Sequence, residues 1–209
     1  CQGERMGALA ITEPNYGSDA VGIELSAKRD GGYYLLKGTK TFITNGPVDD
    51  GIVLLYAKTA PEKGARGITA FVVERGYQGS FTWVRFEKMG CRGAPNGELY
   101  FDDYRVPVEN VLGEENHGIR VMMSGLDTER AVGAALSVGA IRRALELSLN
   151  YAKDRVQFGQ PIGNFQLIQE KLVDMYASYE AARLLAYKAL DVAQKTVWVK
   201  DVERKGDRK

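Results

Sequence analysis

Leu99-Tyr100-Phe101-Asp102-Asp103-Tyr104-Arg105-Val106-Pro107-Val108-Glu109-Asn110-Val111-Leu112-Gly113 is where the chain changes its period. Up to Val106 the stretch is rich in aromatic and β-branched residues, as in a strand; Pro107 and Gly113 punctuate it, and apolar residues then recur at steps of three and four. Upstream, residues 6–12, 23–28, 33–44, 52–58, 68–74, 81–86 and 99–106 read as short strands. They are separated by turn formers such as Arg29-Asp30-Gly31-Gly32, Asn45-Gly46-Pro47 and Pro61-Glu62-Lys63-Gly64. Strands at this spacing, with no long helical pattern between them, predict an antiparallel barrel or sandwich. Downstream, Leu136, Ala140, Ala144 and Leu147 mark one helix running towards Tyr151. A second follows Asn164, read as its N-cap, through Phe165, Ile168, Leu172, Met175, Tyr179, Ala182, Ala186 and Leu190. The expected fold is therefore α+β: an antiparallel β-barrel domain over 1–112, then two helices, part of a helical bundle, over 113–198, and a charged, frayed tail over 199–209. Two helices beside a small β domain leave much of their apolar stripes uncovered.

Composition narrows the function. The 209 residues are 44% hydrophobic and 26% charged, ordinary values for a globular core. A net charge of +1 lacks the basic field of a nucleic-acid binder. No apolar run reaches a membrane span's length and no signal-peptide pattern opens the chain. Two cysteines, Cys1 and Cys91, make no disulfide framework, so a reducing compartment is expected: the cytoplasm, or alternatively the mitochondrial matrix. His117 is the only histidine, which excludes zinc sites built on several histidines and any Ser-His-Asp triad without His117 as its base. No G-x-G-x-x-G, Walker loop, C-x-x-C or H-E-x-x-H occurs, and no metal site is expected.

Three segments look over-specified for plain structure. Thr12-Glu13-Pro14-Asn15-Tyr16-Gly17-Ser18-Asp19 joins turn formers to hydroxyls and free backbone N–H groups; it either holds a polar heterocycle or phosphate, or satisfies only itself. In Phe42-Ile43-Thr44-Asn45-Gly46, Phe42 and Thr44 share one strand face and could flank a flat ligand, or be a core ring and a turn cap. In Gly125-Leu126-Asp127-Thr128-Glu129-Arg130-Ala131-Val132-Gly133, a helix puts Gly125, Glu129 and Gly133 on one face. The carboxylate then has room above and below it, unless another backbone fills that space. Neither Val132 nor Gly133 gives Glu129 a forward ion pair.

In order and register, these segments resemble the flavin-dependent acyl-CoA dehydrogenase family from Leu9 to about Gln194. The likeness includes Leu9-Ala10-Ile11-Thr12-Glu13-Pro14-Asn15-Tyr16-Gly17-Ser18-Asp19, Phe42-Ile43-Thr44-Asn45-Gly46-Pro47, Arg66-Gly67-Ile68-Thr69-Ala70-Phe71 and Met89-Gly90-Cys91-Arg92-Gly93. It continues through Val106–Gly113, Arg155-Val156-Gln157-Phe158-Gly159 and Phe165-Gln166-Leu167-Ile168-Gln169, while Met123-Ser124-Gly125-Leu126-Asp127-Thr128-Glu129-Arg130 resembles the isovaleryl-type branch.

The resemblance implies FAD at a barrel–helix junction. Leu9, Ala10, Ile11, Thr12, Gly17 and Ser18 would line the flavin cleft, with Phe42, Ile43 and Thr44 covering the flavin and Thr44 near N5. Arg155, Gln157, Phe158 and Gln166 would hold the adenine-diphosphate end, largely for a neighbouring subunit. Ser18, Asp127, Thr128 and Arg130 would touch the acyl-CoA. Glu129 would be the base that removes the α-proton while hydride leaves Cβ for the flavin, giving the trans-2-enoyl-CoA.

Further implied are a homotetramer, a dimer of dimers, and an electron-transferring flavoprotein as acceptor. Phe42 stands where tryptophan is commoner and Arg120 where the isovaleryl branch has tyrosine. Family members are longer, so this is expected to be a partial chain, without an N-terminal helical domain and the helices that complete a four-helix bundle. An oxidase-type relative and an FAD-free interaction module are the competing readings.

Overall fold

The computed structural model describes the backbone of residues 3–206 and the side chains of residues 3–195. Seven strands form one sheet: β1 (Met6–Ala10), β2 (Ser26–Asp30), β3 (Tyr33–Thr44), β4 (Gly51–Lys58), β5 (Ile68–Val73), β6 (Ser80–Arg85) and β7 (Asn96–Pro107). Their order is β1-β4-β2-β3-β7-β6, with β5 on β4. The sheet is mixed, which corrects the expectation of a purely antiparallel one. β1 runs parallel to β4 from Met6↔Gly51 to Ala10↔Leu55, and β2 meets β4 in parallel at Ser26↔Lys58. Turn residues reveal only sequence-adjacent partners. A parallel pair needs a long excursion between its strands, and residues 11–50, which hold the β2–β3 hairpin, supply it.

The sheet closes on one core containing Leu25, Tyr34, Leu36, Ile43, Leu55, Phe71, Leu99 and Val106. Alternation along β3 puts Tyr34 and Leu36 inward, and bulges follow at Leu36/Gly38 and Lys40/Ile43. The extra residue of the first lies on β7, where Asp103 takes φ 48; opposite it Gly38 sits at φ 139, where an added Cβ would lie 3.0 Å from Leu25 Cα. Phe42 takes the second in the left-handed region at φ 57, uncommon for a side chain of its bulk.

The chain divides into two compact units, Cys1–Met123 and Ser124–Lys209. The division expected after residue 112 falls later because 113–123 are bound to the sheet. Leu112 N donates to Ala70 O at 2.8 Å, Asn116 N to Thr69 Oγ1 at 2.8 Å, and Met122 is buried. At Gly118 a Cβ would sit 2.8 Å from the Thr69 carbonyl carbon, so only glycine can begin the helix that close to β5.

That helix, α1 (Gly118–Asp154), is longer than its apolar period suggested. The glycines that interrupt the period lie inside it. The two-residue strands β8 (Val156–Gln157) and β9 (Gln160–Pro161) then form a hairpin, and α2 (Gln166–Gly206) follows. Within the second unit Leu145, Ala152 and Ala186 are buried, while Leu136, at 82% exposure, and Leu185 show the uncovered apolar faces. Asn164 is not the N-cap expected of it. Residues Ile162–Asn164 make a single 3-10 turn first, and the Asn164 amide turns to Gln160 Oε1 at 3.3 Å. The backbone of α2 runs as helix to Gly206, into the charged stretch that follows residue 198. Residues 207–209, and Cys1, lie outside the described residues; Cys91 is a free, exposed thiol. Among the described residues no helix is long and apolar enough to cross a membrane.

Candidate functional site

In the first unit, the loop after β1 and the end of β3 lie side by side. Glu13 and Tyr16 exchange backbone hydrogen bonds of 2.9 and 3.1 Å, closing the turn, and Asp19 caps it by accepting from Gly22 N at 3.1 Å. Thr41 N donates to Thr12 O at 2.9 Å, which seats the loop on β3. Ala10 is buried, Ile11 and Thr12 are half-buried, and Leu9, Gly17 and Ser18 face solvent. On β3, Ile43 is buried, while Phe42 is 68% exposed and Thr44 is exposed beside it. Asn96 Nδ2 donates to both Phe42 O and Thr44 Oγ1, each at 3.0 Å. The Thr44 hydroxyl therefore accepts within the chain, and its own hydrogen remains to be donated. The Phe42 ring rests on Phe86 with centroids 5.5 Å apart.

Beneath this surface lies a buried ion pair that the sequence reading passed over. Lys40 Nζ, with 0% of its side chain exposed, donates to Glu13 Oε1 at 2.8 Å and to Ile11 O at 2.8 Å. The Glu13 carboxylate, 6% exposed, also accepts from Leu25 N at 3.0 Å and Glu24 N at 2.7 Å. Burial pushes the Lys40 ammonium down from 10.5 to about 8, with Glu13 opposing the shift. The signal was present: on β3, Lys40 has the parity of the inward Tyr34 and Leu36.

A second feature missed from sequence is a cavity of about 890 Å³ in the first unit. Lys63, Arg66, His117 and Arg120 line it, with Glu62 and Glu115 among the other walls. Among the described residues, Lys63, Arg66 and Arg120 have no ion-pair partner, and set against Glu62 and Glu115 in the same walls they leave the cavity a small net positive charge. Arg66 had been seen only as part of a motif, and Arg120 only as a departure.

In the second unit, Gly125, Glu129 and Gly133 share one exposed face of α1. A Cβ at either glycine would meet no atom within 4 Å, so neither is used for close packing in this chain. Asp127 and Arg130 are exposed, and Thr128 Oγ1 donates back to Ser124 O at 3.2 Å. The β8–β9 hairpin turns on Phe158 and Gly159 at φ 54 and 77, a turn whose first position suits asparagine or glycine rather than phenylalanine. Phe158 is nonetheless 92% exposed, its ring in edge contact with Phe165 at 6.1 Å. Arg155 is exposed with no carboxylate partner among the described residues; Gln157 Nε2 donates to Val156 O at 2.8 Å, and Gln166 opens α2. On the hairpin, an unpaired guanidinium, one amide and an exposed ring on a strained backbone suit an anion attached to a flat base.

Residues 8–104 match the family described as acyl-CoA dehydrogenase, middle domain, and residues 116–197 match acyl-CoA dehydrogenase, C-terminal domain. The chain is 48% identical to mitochondrial isovaleryl-CoA dehydrogenase of Oryza sativa subsp. japonica, over 88% of this chain and 45% of that protein. It is 44% identical to cyclohex-1-ene-1-carbonyl-CoA dehydrogenase of Geobacter metallireducens, over 88% of this chain and 48% of that one. The solved butyryl-CoA dehydrogenase of Megasphaera elsdenii superposes with a TM-score of 0.85 at 43% identity, covering 91% of this chain and 50% of that structure. The chain thus spans about half the length of the curated relatives it matches.

Proposed function

Since the chain belongs to the acyl-CoA dehydrogenase family, we propose that it carries part of the machinery for FAD-dependent α,β-dehydrogenation of an acyl-CoA thioester to the trans-2-enoyl-CoA. FAD, when bound, supplies the hydride acceptor. The residues present suit it. Leu9 to Thr12, Gly17 and Ser18 offer a half-polar ledge, Phe42 an exposed ring, Ile43 an apolar backing, and Thr44 a hydroxyl hydrogen free to donate. Arg155, Gln157, Phe158 and Gln166 fit the pyrophosphate and adenine, largely for a neighbouring subunit of a homotetramer. Glu129 takes the α-proton of the thioester. Ser18, Asp127, Thr128 and Arg130 orient the acyl-CoA chain, and the cationic cavity of Lys63, Arg66 and Arg120 holds its phosphorylated end. An electron-transferring flavoprotein is the proposed acceptor, and a reducing compartment, cytoplasm or mitochondrial matrix, the setting.

The open notch around Glu129 carries this proposal: two glycines that pack against nothing leave space beside a carboxylate. Anaerobic titration of the flavin-loaded protein with acyl-CoAs of different length and branching tests it. Wild type bleaches, whereas Glu129→Gln keeps its flavin and does not bleach; unchanged bleaching refutes the assignment. Rapid oxygen consumption would point to an oxidase, and a protein that takes up no FAD to an interaction module.

A further inference from the structure

We infer that the buried Glu13–Lys40 pair is a positioning strut, which locks the loop carrying Thr12 and Ser18 to the strand carrying Phe42 and Thr44 so that both move as one body. The inference deepens the dehydrogenase proposal and rests on it for the ligand.

Three segments meet at this pair. Ile11 O belongs to the run after β1, the Glu24 and Leu25 amides to the approach to β2, and Lys40 to β3. Neither the core nor the sheet demands charge here. An ion pair this deeply buried is a weak source of stability, since apolar residues of similar volume often replace one without loss. What the pair adds is direction. An ammonium with two fixed acceptors and a carboxylate with three fixed donors leave the loop one position relative to β3.

Each half stands next to a residue proposed to face the ligand. Glu13 follows Thr12, and Lys40 precedes the left-handed bulge at Phe42 by two residues. Thr41, between them, is pinned on two sides: its N–H donates to Thr12 O at 2.9 Å, and its Oγ1 donates to Glu98 Oε1 at 3.0 Å. A displacement of the loop therefore passes to Phe42 through bonded atoms without flexible slack.

The test compares wild type with Glu13→Leu/Lys40→Met, Glu13→Gln and Lys37→Met. The double variant removes both charges at similar volume, so it tests the strut even where a single variant leaves a lone buried ammonium and fails to fold. Lys37, whose partner Asp102 is exposed like itself, is the control on the same strand. Three readouts are taken: melting temperature, amide hydrogen exchange over residues 15–19, and the FAD dissociation constant with the rate of flavin bleaching by acyl-CoA. The double variant is expected to melt within a few degrees of wild type. It should exchange its loop amides at least tenfold faster, bind FAD at least tenfold more weakly and bleach more slowly; Lys37→Met should match wild type throughout. Wild-type exchange and FAD affinity in a folded double variant would overturn the inference. A wild-type protein that takes up no FAD defeats the dehydrogenase proposal instead, and loop exchange then decides the strut by itself.

Discussion

Lys40 makes the stability of the β unit depend on pH in an unusual direction. Its ammonium is charged in the unfolded chain up to about 10.5, but in the folded protein burial brings it down to about 8, despite the opposing pull of Glu13. Below about pH 8 both states are protonated and the full cost of holding the charge inside is present. Between about 8 and 10.5 the folded state gives up its proton first, the unfolded chain binds more protons, and stability rises with pH. At about 1.4 kcal/mol per pKa unit, the gain attributable to this side chain is a few kcal/mol between about pH 7 and about pH 10. Glu13→Leu/Lys40→Met carries neither buried charge and does not titrate there, and the groups elsewhere act alike in both proteins. Urea unfolding of each, followed by near-ultraviolet circular dichroism of the aromatic core, isolates the effect. The wild-type stability is expected to climb relative to the variant by that amount as the pH is raised. Two stability curves that stay parallel across this range would refute the buried-charge account.

Arg120→Ala and Arg66→Ala are each expected to raise the KM for acyl-CoA about tenfold with kcat nearly unchanged, the effect shrinking as salt rises, measured by steady-state kinetics at two ionic strengths. Phe158→Gly relieves the left-handed strain of the hairpin and should stabilise it slightly, yet weaken FAD binding several-fold by removing the exposed ring; calorimetric titration of FAD reads both the sign and the size. Leu55→Ala, at a fully buried core position, should cost roughly 2–5 kcal/mol in the same urea assay.

Most of the fold was legible because its signals are local. The strand segments between 23 and 106 and the helical period after 113 follow from side-chain alternation and turn residues, which neighbours in sequence determine. The parallel β1–β4 pairing was not legible, since no turn joins those strands. Nor was the true start of α2, because Ile162–Asn164 spends one turn as 3-10 helix before the regular period begins. At the site, Thr12, Phe42, Thr44 and Glu129 stood out by chemistry combined with spacing. Glu13 and Lys40 did not, for each looks like an ordinary surface charge until Lys40 is counted with the inward positions of β3 and three segments converge on one carboxylate. The cavity was hidden for a similar reason: Lys63 and Arg66 follow β4, while His117 immediately precedes α1 and Arg120 lies in its first turn.

The side-by-side run of β1 with β4 also sets a timetable for synthesis. Closing residues 11–50 into a ring costs chain entropy before any bond between the two strands is made. Until Gly51 to Leu55 have left the ribosome, β1 lacks its parallel partner, and the segment bearing Thr12 and Ser18 is held only through β3 and the approach to β2. The seat of that segment is thus completed only once β4 is in place, although Thr12 and Ser18 precede β2 and β3 in the chain.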